Sequence, residues 1–160
     1  MLTYLSLGSN VGAREAQLQE AQRRLGAVGR VASVSSYYET EPVGFTEQPW
    51  FLNCALALET NQTPLQLMRC VLGIEKEMGR ERLQKNGPRT IDIDILLFGD
   101  RILNLAEVTI PHPAMHERRF VLEPMAEIAP EARHPMMNRT VRELLAALPQ
   151  GQEVRKRGEP

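Results

Sequence analysis

Ile91-Asp92-Ile93-Asp94-Ile95-Leu96-Leu97-Phe98 places two carboxylates two residues apart inside an apolar run. Strand side chains alternate between faces, so Asp92 and Asp94 project from one face and Ile91, Ile93 and Ile95 from the other. Charges are rarely placed on such a strand without a partner. Two parallel carboxylates repel, and a divalent cation relieves the repulsion. Hard oxygen ligands on a strand suit Mg²⁺, which uses one or two carboxylates and completes its shell with water and phosphate. An Asp-x-Asp alone would read more simply as an edge strand showing acids to water. The preceding segment, Gly79-Arg80-Glu81-Arg82-Leu83-Gln84-Lys85-Asn86-Gly87-Pro88-Arg89-Thr90, tips the balance. Its four cations, its Gly and Pro, and its lack of apolar periodicity read as a basic, mobile loop. As a solvated charge cluster it would need no ligand. Beside an acid pair it fits a polyphosphate bridged by Mg²⁺ and gripped by Arg forks.

Working outward, residues 2–8 read as a first strand, closed by Gly8-Ser9-Asn10, with Ser9 or Asn10 able to cap a helix carrying Leu18, Ala21, Leu25 and Val28. Residues 31–38 alternate as a second strand, and 39–49 as a long loop. Trp50–Glu59 forms a third strand. Trp50, Leu52, Cys54, Leu56 and Leu58 line one face, and Phe51, Asn53, Ala55 and Ala57 the other. Thr63-Pro64 opens a second helix with the stripe Leu65, Met68, Val71, Leu72, Glu75 and Met78. A carboxylate in that stripe, Glu75, needs a partner if buried. Residues 90–98 are the fourth strand. The order β-α-β-β-α-β predicts an α+β, ferredoxin-like antiparallel sheet with two helices on one face and the other face open. Phe51, Asn53, Asp92 and Asp94 would share that open face, unless a one-residue slip inverts a strand. Pro111-His112-Pro113 is rigid, and helices are expected over His116–Ile128 and Arg139–Leu148.

The 160 residues suit a single domain, 1–160, with a flexible basic tail over 150–160. A net charge of -1 argues against a nucleic-acid partner. No apolar run reaches membrane-spanning length. Cys54 and Cys70, with no Cys-x-x-Cys, read as small core residues. A cytoplasmic monomer with small-molecule partners is expected.

Several separated blocks resemble, in order, the 6-hydroxymethyl-7,8-dihydropterin pyrophosphokinase family of folate biosynthesis. They are Leu7-Gly8-Ser9-Asn10, Phe51-Leu52-Asn53, Gly87 to Leu96, Ile110-Pro111-His112-Pro113 and Arg118-Arg119-Phe120-Val121-Leu122. The resemblance runs from Leu5 to about Pro130. It implies transfer of the β,γ-pyrophosphoryl group of ATP to the hydroxymethyl oxygen of a reduced pterin, leaving AMP. It also implies that Asp92 and Asp94 hold two Mg²⁺ ions, with Asp92 near the attacking hydroxyl. Arg80 and Arg89, with Arg82, correspond to loop cations that meet the phosphates as the site closes. Phe51 and Phe120 resemble an aromatic pair that sandwiches the pterin, and Asn53 the amide that reads its edge. Thr40, Pro42 and Val43 resemble the loop reaching that edge. Glu75, Ile95, Thr109, His112 and Arg118 match positions that meet ATP.

Three positions depart from the pattern. Asn86 stands where some members carry Trp, Glu107 where some use Arg, and Ala114 where Arg is common. Two rival readings are a ferredoxin-like RNA or small-molecule binding module and another Mg²⁺-dependent transferase using Asp-x-Asp. The first predicts a basic or aromatic sheet face. The second has no need of Phe51, Asn53 and Phe120 together.

Overall fold

A computed structural model of the chain describes residues 1–42, 47–79 and 90–157. Its elements are β1 (Leu2–Ser9), α1 (Arg14–Leu25), β2 (Arg30–Val34), β3 (Tyr38–Thr40), β4 (Phe51–Glu59), α2 (Pro64–Glu77) and β5 (Asp92–Phe98). Then come β6 (Leu103–Asn104), β7 (Thr109–Ile110), a 3₁₀ turn (Met115–Glu117), α3 (Arg119–Ile128), β8 (Arg133–His134), β9 (Arg139–Thr140), α4 (Val141–Ala146) and β10 (Val154–Lys156). The main sheet runs β10-β3-β4-β1-β5, with β2 alongside the other half of β4. Every pairing in it is antiparallel.

Two apolar layers sandwich this sheet. On one side Leu5, Leu7, Leu52, Cys54, Leu56, Leu58, Ile93 and Ile95 meet Leu18, Ala21 and Leu25 of α1 and Leu67, Val71 and Ile74 of α2. This is the division of faces that alternation predicts for β4 and β5. On the other side Ala55, Leu96 and Leu97 meet Val121, Leu122 and Met125 of α3 and Val141 and Leu144 of α4. The face expected to stay open is therefore half covered. The register of β5 on β1 slips between Tyr4 and Leu5, leaving Leu96 without a partner across the ladder. That bulge turns both Leu96 and Leu97 into the second layer.

Other expectations are corrected. The residues 31–38 are not one strand: β2 and β3 flank Ser35, whose hydroxyl accepts the Ala55 N–H at 2.9 Å. Neither Ser9 nor Asn10 caps α1. Ser9 belongs to β1, and Asn10 donates to Gln48 Oε1 at 2.8 Å and to the Pro49 carbonyl at 3.0 Å. The helix starts after Ala13 without a side-chain cap. Thr63 does cap α2, in a reciprocal box with Gln66. The buried stripe of α2 is Leu67, Val71, Ile74 and Glu75, while Leu72 is 51% exposed. The expected final helix shortens to α4, because Thr140 and Glu143 form a capping box there. Residues 154–156, read as tail, form strand β10 on β3.

Candidate active site

The register across three strands assembles the site. Gly8 of β1 pairs with Asn53 of β4 on one side and Asp92 of β5 on the other. Ser6 likewise pairs with Ala55 and Asp94. Residues directly opposite in a sheet point to the same face, so Asn53, Gly8 and Asp92 form one row and Ala55, Ser6 and Asp94 the next. Asn53 and Asp92 are then two strand spacings apart, about 10 Å. Phe51 stands half-buried one step beyond Asn53 on the same face. Phe120, half-buried, opens α3 over that face and packs against the second apolar layer. The four residues that alternation placed together do share a surface.

At the β4 end, Asn53 is 4% exposed and held from two sides. Thr40 Oγ1 donates to its Oδ1 at 2.5 Å, and its Nδ2 donates to the Leu7 carbonyl at 3.3 Å. The Leu7 carbonyl can only accept, so it sets which end of the amide faces it. One lone pair and one N–H of the amide are thereby used, and one of each remains for a planar donor–acceptor edge. Gly8 makes this possible. A Cβ there would lie 2.4 Å from Asn53 Nδ2 and 3.5 Å from a ring carbon of Phe51. Gly8 does not close the first strand, as expected of Gly8-Ser9-Asn10, but lies inside β1, which runs to Ser9. The signal was a glycine inside a strand, which marks close approach from a neighbour. Pro42 is buried just beyond Thr40.

At the β5 end, Asp92 and Asp94 are half-buried. His112 Nε2 stands 3.9 Å from Asp94 Oδ1, an electrostatic contact too long for a hydrogen bond. Burial, joined by the nearby Arg118 guanidinium, pulls the His112 imidazole down to about 4, against the opposing pull of Asp92. His112 is therefore neutral at pH 7. Its Nδ1 accepts the Ala114 N–H at 3.1 Å, which puts the ring proton on Nε2, facing the acid. The Arg118 Cζ lies 5.6 Å from the centre of the Phe120 ring. Arg118 thus lies near both Phe120 and His112.

Glu75 is 4% exposed, and its Oε2 accepts the backbone N–H of Ile93 at 2.8 Å. Ile93 lies between the two acids on the edge strand, so Glu75 braces the segment that carries them. The Ile95 side chain is buried in the core, which leaves only its main chain for any nucleotide contact. Thr109 is half-buried on β7, its hydroxyl 3.5 Å from Asn104 Oδ1. Glu107 pairs with Arg69 of α2 at 3.5 Å, so this acid serves an exposed tie between elements. Val43, Arg80, Arg82, Asn86 and Arg89 lie outside the described residues.

The donor set suits a hard divalent cation. Two carboxylates on one strand face, alternate along it, stand about 7 Å apart at their Cα atoms. That is enough separation to engage one ion or two. Among the described residues no third His, Cys, Asp or Glu completes a cluster. Two carboxylates are the number Mg²⁺ takes from protein when phosphate and water supply the rest.

Residues 4–130 match the 7,8-dihydro-6-hydroxymethylpterin-pyrophosphokinase (HPPK) family. A protein of Bacillus subtilis named 2-amino-4-hydroxy-6-hydroxymethyldihydropteridine pyrophosphokinase is 46% identical over 129 residues, 79% of this chain and 77% of that protein. One of the same name in Pseudomonas aeruginosa is 44% identical over 149 residues, 91% of each. The folic acid synthesis protein fol1 of Schizosaccharomyces pombe is 41% identical over 150 residues, 92% of this chain but 20% of that protein. Among solved structures, wild-type HPPK-DHPS of Plasmodium falciparum with pteroate superposes with a TM-score of 0.73 at 18% identity. This chain covers 42% of that one, 91% of its own length being matched, and the likeness bears on fold alone. The class is a kinase built on an antiparallel sheet with helices on both faces. The chain belongs to the 7,8-dihydro-6-hydroxymethylpterin-pyrophosphokinase family.

Proposed function

We propose that this chain transfers the β,γ-pyrophosphoryl group of ATP to the hydroxymethyl oxygen of 6-hydroxymethyl-7,8-dihydropterin, releasing AMP, as a step of folate synthesis. The observation that carries the proposal is the row Asn53–Gly8–Asp92, in which an amide and a carboxylate stand on one sheet face with only a glycine between them. The strand order β3-β4-β1-β5 supports a split β-α-β, ferredoxin-like arrangement beneath it.

In this reading Asn53 pairs with the amide-like edge of the pterin, its free N–H and lone pair meeting an acceptor and a donor there. Phe51 and Phe120 take the two ring faces by offset stacking. Asp92 and Asp94 would hold Mg²⁺, which when bound neutralises phosphate charge and acidifies the acceptor hydroxyl. Arg118, with Arg80, Arg82 and Arg89, compensates charge on the transferred group. His112 donates from Nε2 without carrying charge itself. The reacting oxygen then needs only alignment with the β-phosphorus and a displaced AMP in line behind it. Glu75 meets ATP while keeping its hold on the Ile93 N–H. Among the described residues no helix is long and apolar enough to cross a membrane. The reading extends to a cytoplasmic monomer acting on small molecules.

The test is an assay with ATP, Mg²⁺ and the reduced pterin, separating nucleotide products. AMP in equal amount to pterin diphosphate is expected. ADP would point to a different phosphoryl transferase. Pterin binding without any nucleotide cleavage would point to a binding module.

A further inference from the structure

The acceptor end has a second support that lies beyond residue 130, where the family match stops. Strand β3 is only three residues long, and its last residue, Thr40, pairs with Phe51 and hydrogen-bonds Asn53. On its outer edge β3 is paired by β10, with Val154 opposite Thr40, Arg155 opposite Glu39 and Lys156 opposite Tyr38. The pairing continues at both ends. Arg157 N donates to the Tyr37 carbonyl at 2.7 Å, and Glu41 N donates to the Glu153 carbonyl at 3.0 Å. Gln152 Nε2 donates to the Glu41 carbonyl, and Glu153 N to Glu41 Oε1 at 3.3 Å. The same segment reaches the far end of the connection from Glu41 to Trp50. The Arg155 Cζ stands 5.5 Å from the centre of the Trp50 ring, next to Phe51.

We propose that residues 152–157 act as a clamp on the acceptor half of the site, holding both ends of the 41–50 connection and so positioning Thr40, Asn53 and Phe51. This rests on the acceptor-binding reading above. A three-residue strand paired on one side has few bonds to fix it. Paired on both sides, its backbone is locked, and the Thr40 hydroxyl is presented to Asn53 at one place. None of the clamp's contacts touches Asp92, Asp94 or His112 among those described. The basic run Val154-Arg155-Lys156-Arg157 is thereby given a role that its charge alone did not suggest.

Three proteins test this: the full chain, the full chain with Arg155→Pro, and a chain ending at Gln150. Proline inside β10 removes a ladder N–H and the Trp50 contact together. Steady-state kinetics and amide hydrogen exchange without substrate are measured on each. The clamp predicts that KM for the pterin rises about tenfold in both variants, the scale of one lost hydrogen bond in place. It predicts kcat and KM for ATP within about twofold of the full chain and faster exchange confined to residues 38–41 and 50–53. An unchanged pterin KM in Arg155→Pro, or equal rises in both KM values, overturns it. If the shortened chain does not fold, Arg155→Pro decides alone. Absence of AMP formation by the full chain counts against the proposed reaction. Turnover by the full chain with unaltered Arg155→Pro kinetics counts against the clamp only.

Discussion

The two ends of the site are built in different ways. At the β5 end the acids come from one strand, seven residues long, whose alternation sets their direction, and Glu75 holds the Ile93 N–H between them. At the β3–β4 end the proposed recognition group is assembled from Leu7, Gly8, Thr40 and Asn53 on three strands, with β10 outside them. In the proposed function, charge handling is thus encoded locally and acceptor reading in register. At the second end Asn53 is tied to β1 through Leu7 and to β3 through Thr40, so a change there meets three strands at once.

The sharpest way to test that division is Asp94→Ala. Turnover should fall about 10³-fold, the scale seen when a charge-compensating group leaves a phosphoryl-transfer site. The pterin Kd, measured by fluorescence, should stay within about threefold, with the far-UV circular dichroism unchanged. A large loss of pterin affinity would show the ends to be one unit. Gly8→Ala attacks the middle of the row. Its methyl would press on Asn53 Nδ2, and such overpacking costs about 1–3 kcal/mol. The pterin kcat/KM should fall ~5- to 160-fold with ATP KM unaltered; a defect confined to ATP would contradict the row.

Thr40→Val should act more mildly. It leaves Asn53 Oδ1 with one partner fewer in a buried place, worth about 1–2 kcal/mol, or roughly tenfold in pterin KM. Thr40→Ser should restore most of it, and failure of that rescue would mean that shape, not the hydroxyl, matters. The smallest effect is expected at Glu127, which ties α3 to the β3 end. Burial works to raise its carboxyl, but the Tyr38 hydroxyl, at 2.6 Å, and Ser36 N–H, at 2.8 Å, together hold it below the ordinary value. A folded-state value lowered in this way adds stability above the unfolded carboxyl range, and that stability is lost as pH falls through the folded value. Glu127→Gln should therefore cost about 1 kcal/mol in urea unfolding at pH 7, and the cost should shrink as pH falls through the folded carboxyl value. A cost that stayed constant with pH would remove the charge from the explanation.

What the sequence made legible follows the same division. The alternation of Ile91–Ile95 and of Leu52–Leu58 reported faces correctly, because each strand sends its large apolar side chains to the α1–α2 side and its acids, Asn53 and alanines to the other. Thr63-Pro64 announced α2 through local capping chemistry. Longer-range decisions were hidden. Ser35 breaks the second strand because its hydroxyl takes a backbone bond from Ala55, twenty residues away. The α2 stripe turns so that Leu72 faces water and Glu75 faces a strand N–H, which depends on where β5 lies. The C-terminal run is a strand only because β3 offers an unfilled edge. The hold of Thr40 on Asn53 is likewise invisible until Tyr38–Thr40 is known to lie beside Phe51–Asn53.

The adjacency of the two ends can be measured in solution. Mn²⁺ in place of Mg²⁺, with a non-hydrolysable ATP analogue and pterin labelled with ¹³C at the hydroxymethyl carbon, reports the distance between metal and acceptor by relaxation. With the acid pair and the reading amide about 10 Å apart across β1, the labelled carbon should lie within that distance of the metal and broaden strongly. The broadening should vanish in Asp94→Ala while the pterin stays bound. A sharp hydroxymethyl signal in the fully loaded native chain would contradict the shared row of Asn53, Gly8 and Asp92 as the place of reaction.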